Sequence, residues 1–178
     1  MTIQYAILGL LSWKSFSGYE LKKLFSNSSL FYWSGNNNQI YVTLLNLSKE
    51  KLVTQEVQQQ ENLPAKKIYS ITKKGLEELK KWTLQVPELP EIRNAFLIKL
   101  SSTNLLSNDE LNDLIQRYEE ELYTALLMER EKAKRNTEHP NRNKREAYIW
   151  SMINKNFESF YENELKWLTL VKKGLPHE

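Results

Sequence analysis

The hydrophobic pattern of this chain changes period twice within its first 86 residues, and this constrains the fold more than any other feature. The first part has apolar residues three and four apart, as amphipathic helices do. Residues 52–57 and 66–71 instead alternate apolar with polar side chains. The polar stretch Gln58–Ala65 between them contains Pro64, which predicts a β-hairpin with a long turn. Helical spacing then returns, so the expected order is helices, a hairpin and a further helix.

Three helices are predicted before this hairpin and one directly after it. The first, at the start of the chain, is apolar around most of its girth and should therefore be buried. The second begins at Ser17 or Gly18, because Ser17 and Glu20 have the spacing of a capping box. The helix after the hairpin begins at its N-cap Thr72 and extends to about Val86. Its predicted inward side chains are Leu76, Leu79, Trp82 and Val86.

The third helix lies in the stretch Ser34–Lys51, SGNNNQIYVTLLNLSKEK. Its predicted core residues recur at helical spacing and are Ile40, Leu44, Leu45 and Leu47. Asn37, Asn38 and Gln39 fall in its first turn, where one amide can cap the helix while the others point off its end. Amides placed in this way can read base edges in a major groove, although an ordinary capped helix is the alternative interpretation.

Charge and composition favour a DNA-binding first half and a reducing compartment. Residues 1–86 carry 11 Lys against 6 Glu, a net charge of +5, whereas residues 87–178 have a net charge of −2. The first half is therefore the part that can neutralise phosphate. The chain has no cysteine, no signal-peptide pattern and no apolar run near the roughly 20 residues of a membrane span. We expect a cytoplasmic protein.

Three helices, a hairpin and a fourth helix form the order of a winged helix-turn-helix. In that fold the second helix of the pair enters the major groove, and the hairpin, or wing, reaches the flanking backbone. The segments AILGLLSW, SGYELKKLF, NQIYVTLLNL and KKIYSITKKGLEELKKW, in this order and spacing, resemble the PadR family of bacterial transcriptional regulators. The resemblance implies a dimeric repressor with an N-terminal operator-binding domain and C-terminal helices that dimerise.

The resemblance also implies where DNA is bound. It places the start of the recognition helix on Asn37, Asn38, Gln39 and Tyr41, and the basic wing strand on Lys66 and Lys67. We predict that the three amides contact bases, adenine being their natural partner. The predicted contacts to the DNA backbone come from Tyr41, Lys66, Lys67, Lys14, Lys73 and Lys74.

Two features depart from the family pattern. Lys51 stands where members usually carry a glycine between the recognition helix and the wing. If its backbone has a positive φ, the side chain costs up to about 1 kcal/mol. The predicted wing tip, Gln58–Ala65, has no arginine, which leaves phosphate contacts of the wing to its lysines.

Pro87 and Pro90 mark a domain boundary, which gives domains at 1–86 and 87–178. The second domain should begin with a short helix, Glu91 to about Leu100. Two long helices follow, one capped by Ser107 and Glu110 and reaching Met128 or beyond, the other from about Arg145 to Lys173, with the polar loop Thr137–Lys144 between them. Such helices cannot bury both faces alone, so burial in a symmetric homodimer is predicted.

Catalytic chemistry has little support in the sequence. His139 and His177 have no ligand-spaced companions, there is no thiol, and the five glycines stand singly. The run Glu119–Glu121 fans around its helix and is expected to be a solvated face. We predict no enzyme, no metal site and no cofactor.

The sequence leaves open whether the chain binds a small effector. The chain has 5 Trp, 9 Tyr and 6 Phe, which could line a site for a flat ligand, although such residues at helical spacing also form cores. The resemblance extends to phenolic-acid-responsive members and implies release from the operator by a hydroxycinnamate. Candidate pocket residues are Trp33, Arg93, Lys99 and Trp150. Two alternatives remain: a winged-helix protein-interaction module that does not bind DNA, and a DNA-binding regulator without an effector.

Overall fold

The computed structural model describes residues 3–31, 38–60, 63–90, 93–135, 140 and 142–175. The chain divides into two compact units, Met1–Glu88 and Leu89–Glu178, and each is described by itself. The polar residues Glu61 and Asn62 of the predicted hairpin turn lie outside the described residues, as do Asn37, Trp33, His139 and His177.

In its described residues, the first unit has four helices and three strands. They are α1 (Ile3–Leu11), β1 (Phe16–Ser17), α2 (Gly18–Asn27), α3 (Asn38–Lys49), β2 (Val53–Gln60), β3 (Leu63–Ile71) and α4 (Lys73–Thr83). The strands form one antiparallel sheet in the order β1-β3-β2. This order of elements confirms the predicted winged helix-turn-helix. The two-residue strand β1 was not predicted, and α4 ends three residues earlier than expected.

The core of the first unit lies where α1, α2 and α3 meet the sheet. Buried residues come from all of these elements: Ile7, Leu8, Leu10, Leu11, Phe16, Leu21, Phe25, Ile40, Leu44, Leu47, Leu52, Val53 and Tyr69. Ile40, Leu44 and Leu47 are thus buried as predicted, but Leu45 is 50% exposed, so its assignment to the core was wrong. Each helical residue is rotated by about 100° from its neighbour, and Leu45 therefore turns out of the stripe that Leu44 shares with the core.

Helix α4 packs less deeply than its pattern indicates. Thr72 caps it as predicted, accepting a hydrogen bond from the Gly75 N–H at 3.0 Å. Trp82 stacks on Tyr5 of α1 with ring centroids 4.6 Å apart. Leu76 was predicted to point inward but is nearly half exposed, and Val86 lies beyond the end of the helix in solvent.

The hairpin is longer than predicted, because its strands continue through residues assigned to the turn. Gln58 pairs with Lys66 and Gln60 with Leu63, with an irregularity between Gln58 and Gln60. Pro64 therefore lies within β3, although it was predicted to mark the turn. Among the described residues, β1 pairs with β3 only at Ile68 and Tyr69, so Pro64 lies in a part of β3 that β1 does not cover.

Lys51 has a φ of 60°, the left-handed conformation that glycine, the usual residue at this position in the family, adopts without steric cost. The Leu52 N–H donates to the Leu47 carbonyl at 2.9 Å and the Lys51 N–H to the Ser48 carbonyl at 3.0 Å. These two bonds form a Schellman motif, and Leu47 and Leu52 share the same buried cluster. Helix α3 thus ends as a glycine-terminated helix would, but on a lysine.

Replacing Lys51 by glycine should raise the free energy of unfolding by up to about 1 kcal/mol, because glycine adopts positive φ without steric cost. A thermal melt should show an increase of a few degrees for a unit of this size. Lys51→Ala is the matched control, since it removes the side chain but keeps Cβ. If the glycine variant melts no higher than the alanine variant, the backbone at this position is not strained.

The second unit is helical, with α5 (Ala95–Leu100), a 3-10 turn (Thr103–Leu105), α6 (Asn108–Arg135) and α7 (Lys144–Gly174). Helix α5 begins later than predicted, at Ala95, because Asn94 caps it by accepting from the Phe96 N–H at 2.9 Å. The predicted capping box at Ser107 and Glu110 is present.

Helices α6 and α7 run antiparallel. Glu119, three turns into α6, pairs with Lys172 near the end of α7 at 2.6 Å, and Arg130, later in α6, pairs with Glu162, earlier in α7, at 2.8 Å. Their shared core contains Phe96, Ile115, Leu122 and Leu168. Neither these nor the other described helices are both long and apolar enough to cross a membrane.

Candidate nucleic-acid interface

Helix α3 presents its polar first turn to solvent while its opposite side is buried. Asn38 and Gln39 are exposed, whereas Ile40, Leu44 and Leu47 anchor the helix in the core. The exposed amides can donate and accept hydrogen bonds together, as bidentate reading of a base requires. Asn37, the third predicted amide, lies outside the described residues.

Tyr41 holds α3 against the start of α2. A Cβ atom added to Gly18 would lie 2.6 Å from Cε1 of Tyr41, so the ring occupies the space that any side chain at Gly18 would need. Burial raises the pKa of Tyr69, and the neighbouring Tyr41 adds to that increase, which places the two phenols close together. Tyr41 is 43% exposed, so one part of its ring packs while the rest is available to a ligand.

Glu20 connects the start of α2 to the wing. It accepts from the Ser17 N–H at 2.8 Å while its own N–H donates to Ser17 Oγ at 3.2 Å, which confirms the predicted capping box. Its carboxylate also pairs with Lys66 of β3 at 3.3 Å. Partial burial alone would raise the pKa of Glu20, but the hydrogen bonds from Ser17 and the ion pair with Lys66 outweigh it and lower that pKa.

The predicted backbone-contacting lysines divide into engaged and exposed groups. Lys66 is paired with Glu20, and Lys74 Nζ donates to the Glu50 carbonyl at 2.9 Å, beyond the end of α3. Lys14 lies over the Phe16 ring, 5.1 Å from its centroid. Lys67 on β3 and Lys73 at the start of α4 are exposed. These two lysines are therefore the better placed to meet a phosphate.

Two features of this surface were not predicted from the sequence. The pair between Glu20 and Lys66 joins residues 46 positions apart, and no local pattern signals such a contact. Lys49 is exposed in the last turn of α3, about three turns from Asn38, and projecting α3 at 100° per residue would have placed both on its outer side.

In the second unit, two of the predicted effector-binding residues line the same groove. Arg93 and Lys99 lie along a cavity of about 830 Å³ formed by α5, the turn after it and the first half of α6. Its apolar lining includes Phe96, stacked on Tyr118 with ring centroids 3.7 Å apart. Trp150 on α7 is not among the lining residues, and Trp33 lies outside the described residues.

Across the described ranges, no three His, Asp or Glu side chains gather closely enough to hold a metal ion. The Tyr118 hydroxyl donates to Glu164 at 2.9 Å and accepts from the Asn94 side-chain amide at 3.1 Å. Burial raises the pKa of Tyr118, and the Asn94 bond only partly offsets the increase. This network fastens the start of α5 to both long helices and has a structural role.

Comparisons with known proteins identify the family. A family model described as the transcriptional regulator PadR-like family matches residues 7–81, and one described as the virulence activator alpha C-terminal region matches residues 92–175. Residues 7–81, which make up most of the first unit, belong to the PadR-like family. This family consists of transcriptional regulators, in agreement with the prediction that the chain is not an enzyme.

Relatives of this PadR-like chain include the negative transcriptional regulator PadR of Bacillus subtilis (strain 168), at 33% identity over 115 residues. That alignment covers 64% of this chain and 63% of the relative, less than two thirds of its length. The crystal structure of B. subtilis PadR in complex with operator DNA matches with a TM-score of 0.83 and 25% identity, covering 96% and 97% of the two chains. The crystal structure of the same protein in complex with p-coumaric acid matches with a TM-score of 0.77 and 24% identity, covering 96% of each chain. At this identity the match shows a similar fold.

Proposed function

We propose that this PadR-like chain is a homodimeric transcriptional repressor that binds a pseudo-palindromic operator with one α3 helix in each major-groove half-site. The wing lysines, chiefly Lys67, contact the flanking phosphates. A small aromatic acid releases the protein from DNA. Operator binding by the B. subtilis relative supports the first part of this proposal.

The exposed first turn of α3 is the observation that carries the DNA-binding proposal. Asn38 and Gln39 point outward from a helix whose other side is fixed by Ile40 and Leu44. The exposed Lys67 stands on the neighbouring wing, in a half of the chain with a net charge of +5. A rigid helix with outward amides beside a basic hairpin has the parts that base reading and phosphate contact require.

Apolar side chains on the long helices support a homodimer. Tyr123 and Leu127 on α6, together with Tyr148, Ile149 and Met152 on α7, are each about half exposed or more. The first three turns of α7 lie beyond the described end of α6, so α6 covers little of their surface. A second copy, related by a two-fold axis, would bury these residues and set two α3 helices in opposite orientations.

A DNA titration tests the DNA-binding proposal, and sedimentation of the resulting complex tests the dimer proposal. The protein should shift a duplex selected from a random library at nanomolar concentration, and its affinity should fall steeply as salt rises from 50 to 200 mM. Sedimentation of the complex should give two chains per duplex. Affinity for the selected duplex that is weak and insensitive to salt would instead favour a protein-interaction module.

For the effector, the groove that contains Arg93 and Lys99 is the candidate site. Both cations can pair with a carboxylate, and the stacked Phe96 and Tyr118 border the same space. Three carboxylates, Glu110, Asp113 and Glu121, also line it, so the groove has no net excess of positive charge. An aromatic monoacid would therefore have to be held by one of the cations and by ring contacts together.

Millimolar p-coumarate should raise the melting temperature of the free protein and release it from the selected duplex, with both effects weakened in Lys99→Ala. Lys155→Ala, which removes an exposed lysine from α7, is the matched control and should respond like the wild type. If p-coumarate changes neither melting nor DNA affinity, this effector is excluded while the DNA-binding proposal stands.

A further inference from the structure

The centre of the outer side of α3 is occupied by an exposed valine. Val42 is 54% exposed and follows Asn38 by four residues and Gln39 by three, so it lies one turn along the helix from the amides. At 100° per residue it points within about 20° of the direction opposite the mean of Ile40, Leu44 and Leu47. If α3 enters a groove with this side first, Val42 faces the floor of the groove, between Asn38 and Lys49 along the helix.

Neither helix formation nor packing explains a valine at this position. Valine ranks among the less favourable residues in a helix interior, because its branched Cβ restricts the rotamer. Within the described part of the first unit, Val42 is absent from the buried cluster and from the residues packed against it. A lysine or glutamate there would favour the helix and solubility more. The residue is therefore better explained by a ligand that presents an apolar group.

We propose that Val42 is a specificity-determining residue that packs on the C5-methyl group of a thymine in the major groove. This inference rests on the proposed DNA-binding function. In the major groove the thymine methyl is the apolar group that distinguishes a T·A pair, and aliphatic side chains recognise it by contact. Leu45, 50% exposed and three residues further along, extends the apolar surface in the same direction.

Each operator half-site should therefore contain a thymine next to the base that the amides read. Its distance in sequence follows from the helix geometry. Val42 lies about 6 Å along the helix axis from Asn38, whereas successive base pairs are 3.4 Å apart. The thymine should thus fall within one or two base pairs of the amide contact.

The test replaces thymine by uracil, which removes only the methyl group. The probe is a duplex selected by the wild-type protein from a random library, with each thymine changed to deoxyuridine in turn, symmetrically in both half-sites. For the wild type, one such change should weaken binding about fourfold per half-site, corresponding to the ~0.8 kcal/mol of one buried CH₂ group. Val42→Ala should bind the thymine and uracil duplexes equally.

Val57→Ala is the matched control, because Val57 on β2 is 51% exposed but lies outside α3. It should retain the wild-type sensitivity to uracil. The inference is overturned if every thymine tolerates uracil, or if the sensitivity persists in Val42→Ala. Wild-type protein that selects no sequence at all would overturn the proposed function, and this inference with it. A tight, selective protein that is indifferent to uracil would overturn the inference alone.

Discussion

Replacing Gly75 by alanine should lower the unfolding temperature of the first unit by roughly 10 °C. The added Cβ would overlap the carbonyl oxygen of Leu52 and lie 2.8 Å from Cγ1 of Ile71. That carbonyl cannot move cheaply, because it accepts hydrogen bonds from the Thr72 N–H at 3.0 Å and from Thr72 Oγ1 at 3.1 Å. Overpacking of this kind costs roughly 1–3 kcal/mol and sometimes more, which exceeds the gain of about 1 kcal/mol in helix propensity.

The hydrogen bonds between Leu52 and Thr72 link the end of α3 to the start of α4. Gly75→Ala should therefore also weaken DNA binding. Circular dichroism melts of the full chain would measure the loss, and hydrogen exchange would locate it among α1 to α4. Gly174→Ala is the control, since a Cβ there would meet nothing within 4 Å. Its free energy of unfolding should change by less than about 0.5 kcal/mol. An unchanged melt for Gly75→Ala would mean that Leu52 and Thr72 can move apart at little cost.

The features predicted correctly from the sequence depend on residues a few positions apart. Ser17 with Glu20 and Ser107 with Glu110 each form their capping box because the two partners are one helical turn apart. The sequence left the conformation of Lys51 open; its positive φ follows because α3 must end before β2 begins. Such local geometry is determined by spacing and by backbone sterics, and both can be read from the sequence.

The errors arise where a neighbour in space decides the outcome. Leu44 and Leu45 are chemically alike, and only the direction from which α1 and α2 approach α3 buries one and exposes the other. Proline interrupts most strands, but Pro64 lies within β3, in the part that the two-residue strand β1 does not pair with. The ion pair between Lys66 and Glu20 was likewise not predicted, because Glu20 lies on another element. Tertiary contacts of this kind carry no signal in a single sequence.

Replacing Gln39 by alanine should cost about 1–3 kcal/mol of binding free energy per half-site on the selected duplex and little on random DNA. The amide of Gln39 is exposed on the first turn of α3, where it can make two hydrogen bonds to one adenine. In a homodimer the loss occurs twice, which corresponds to a change in affinity of at least about thirtyfold. Gln85→Ala removes the same side chain from an exposed position after α4 and should change neither affinity. Equal loss on both duplexes would exclude base reading by Gln39.

Lysine variants on the wing should show the opposite pattern, because a phosphate contact is independent of sequence. Lys67→Ala should weaken selected and random duplexes alike and lower the slope of log affinity against log salt by about one unit per protomer. Lys66→Ala should change the slope less, since Glu20 already neutralises part of its charge at 3.3 Å. A further variant, Glu20→Gln, leaves Lys66 without its carboxylate partner. It should make the dependence of DNA affinity on salt steeper. If Lys66 and Lys67 prove equivalent, the ion pair with Glu20 must open when DNA binds, and the wing would then approach the backbone with both lysines.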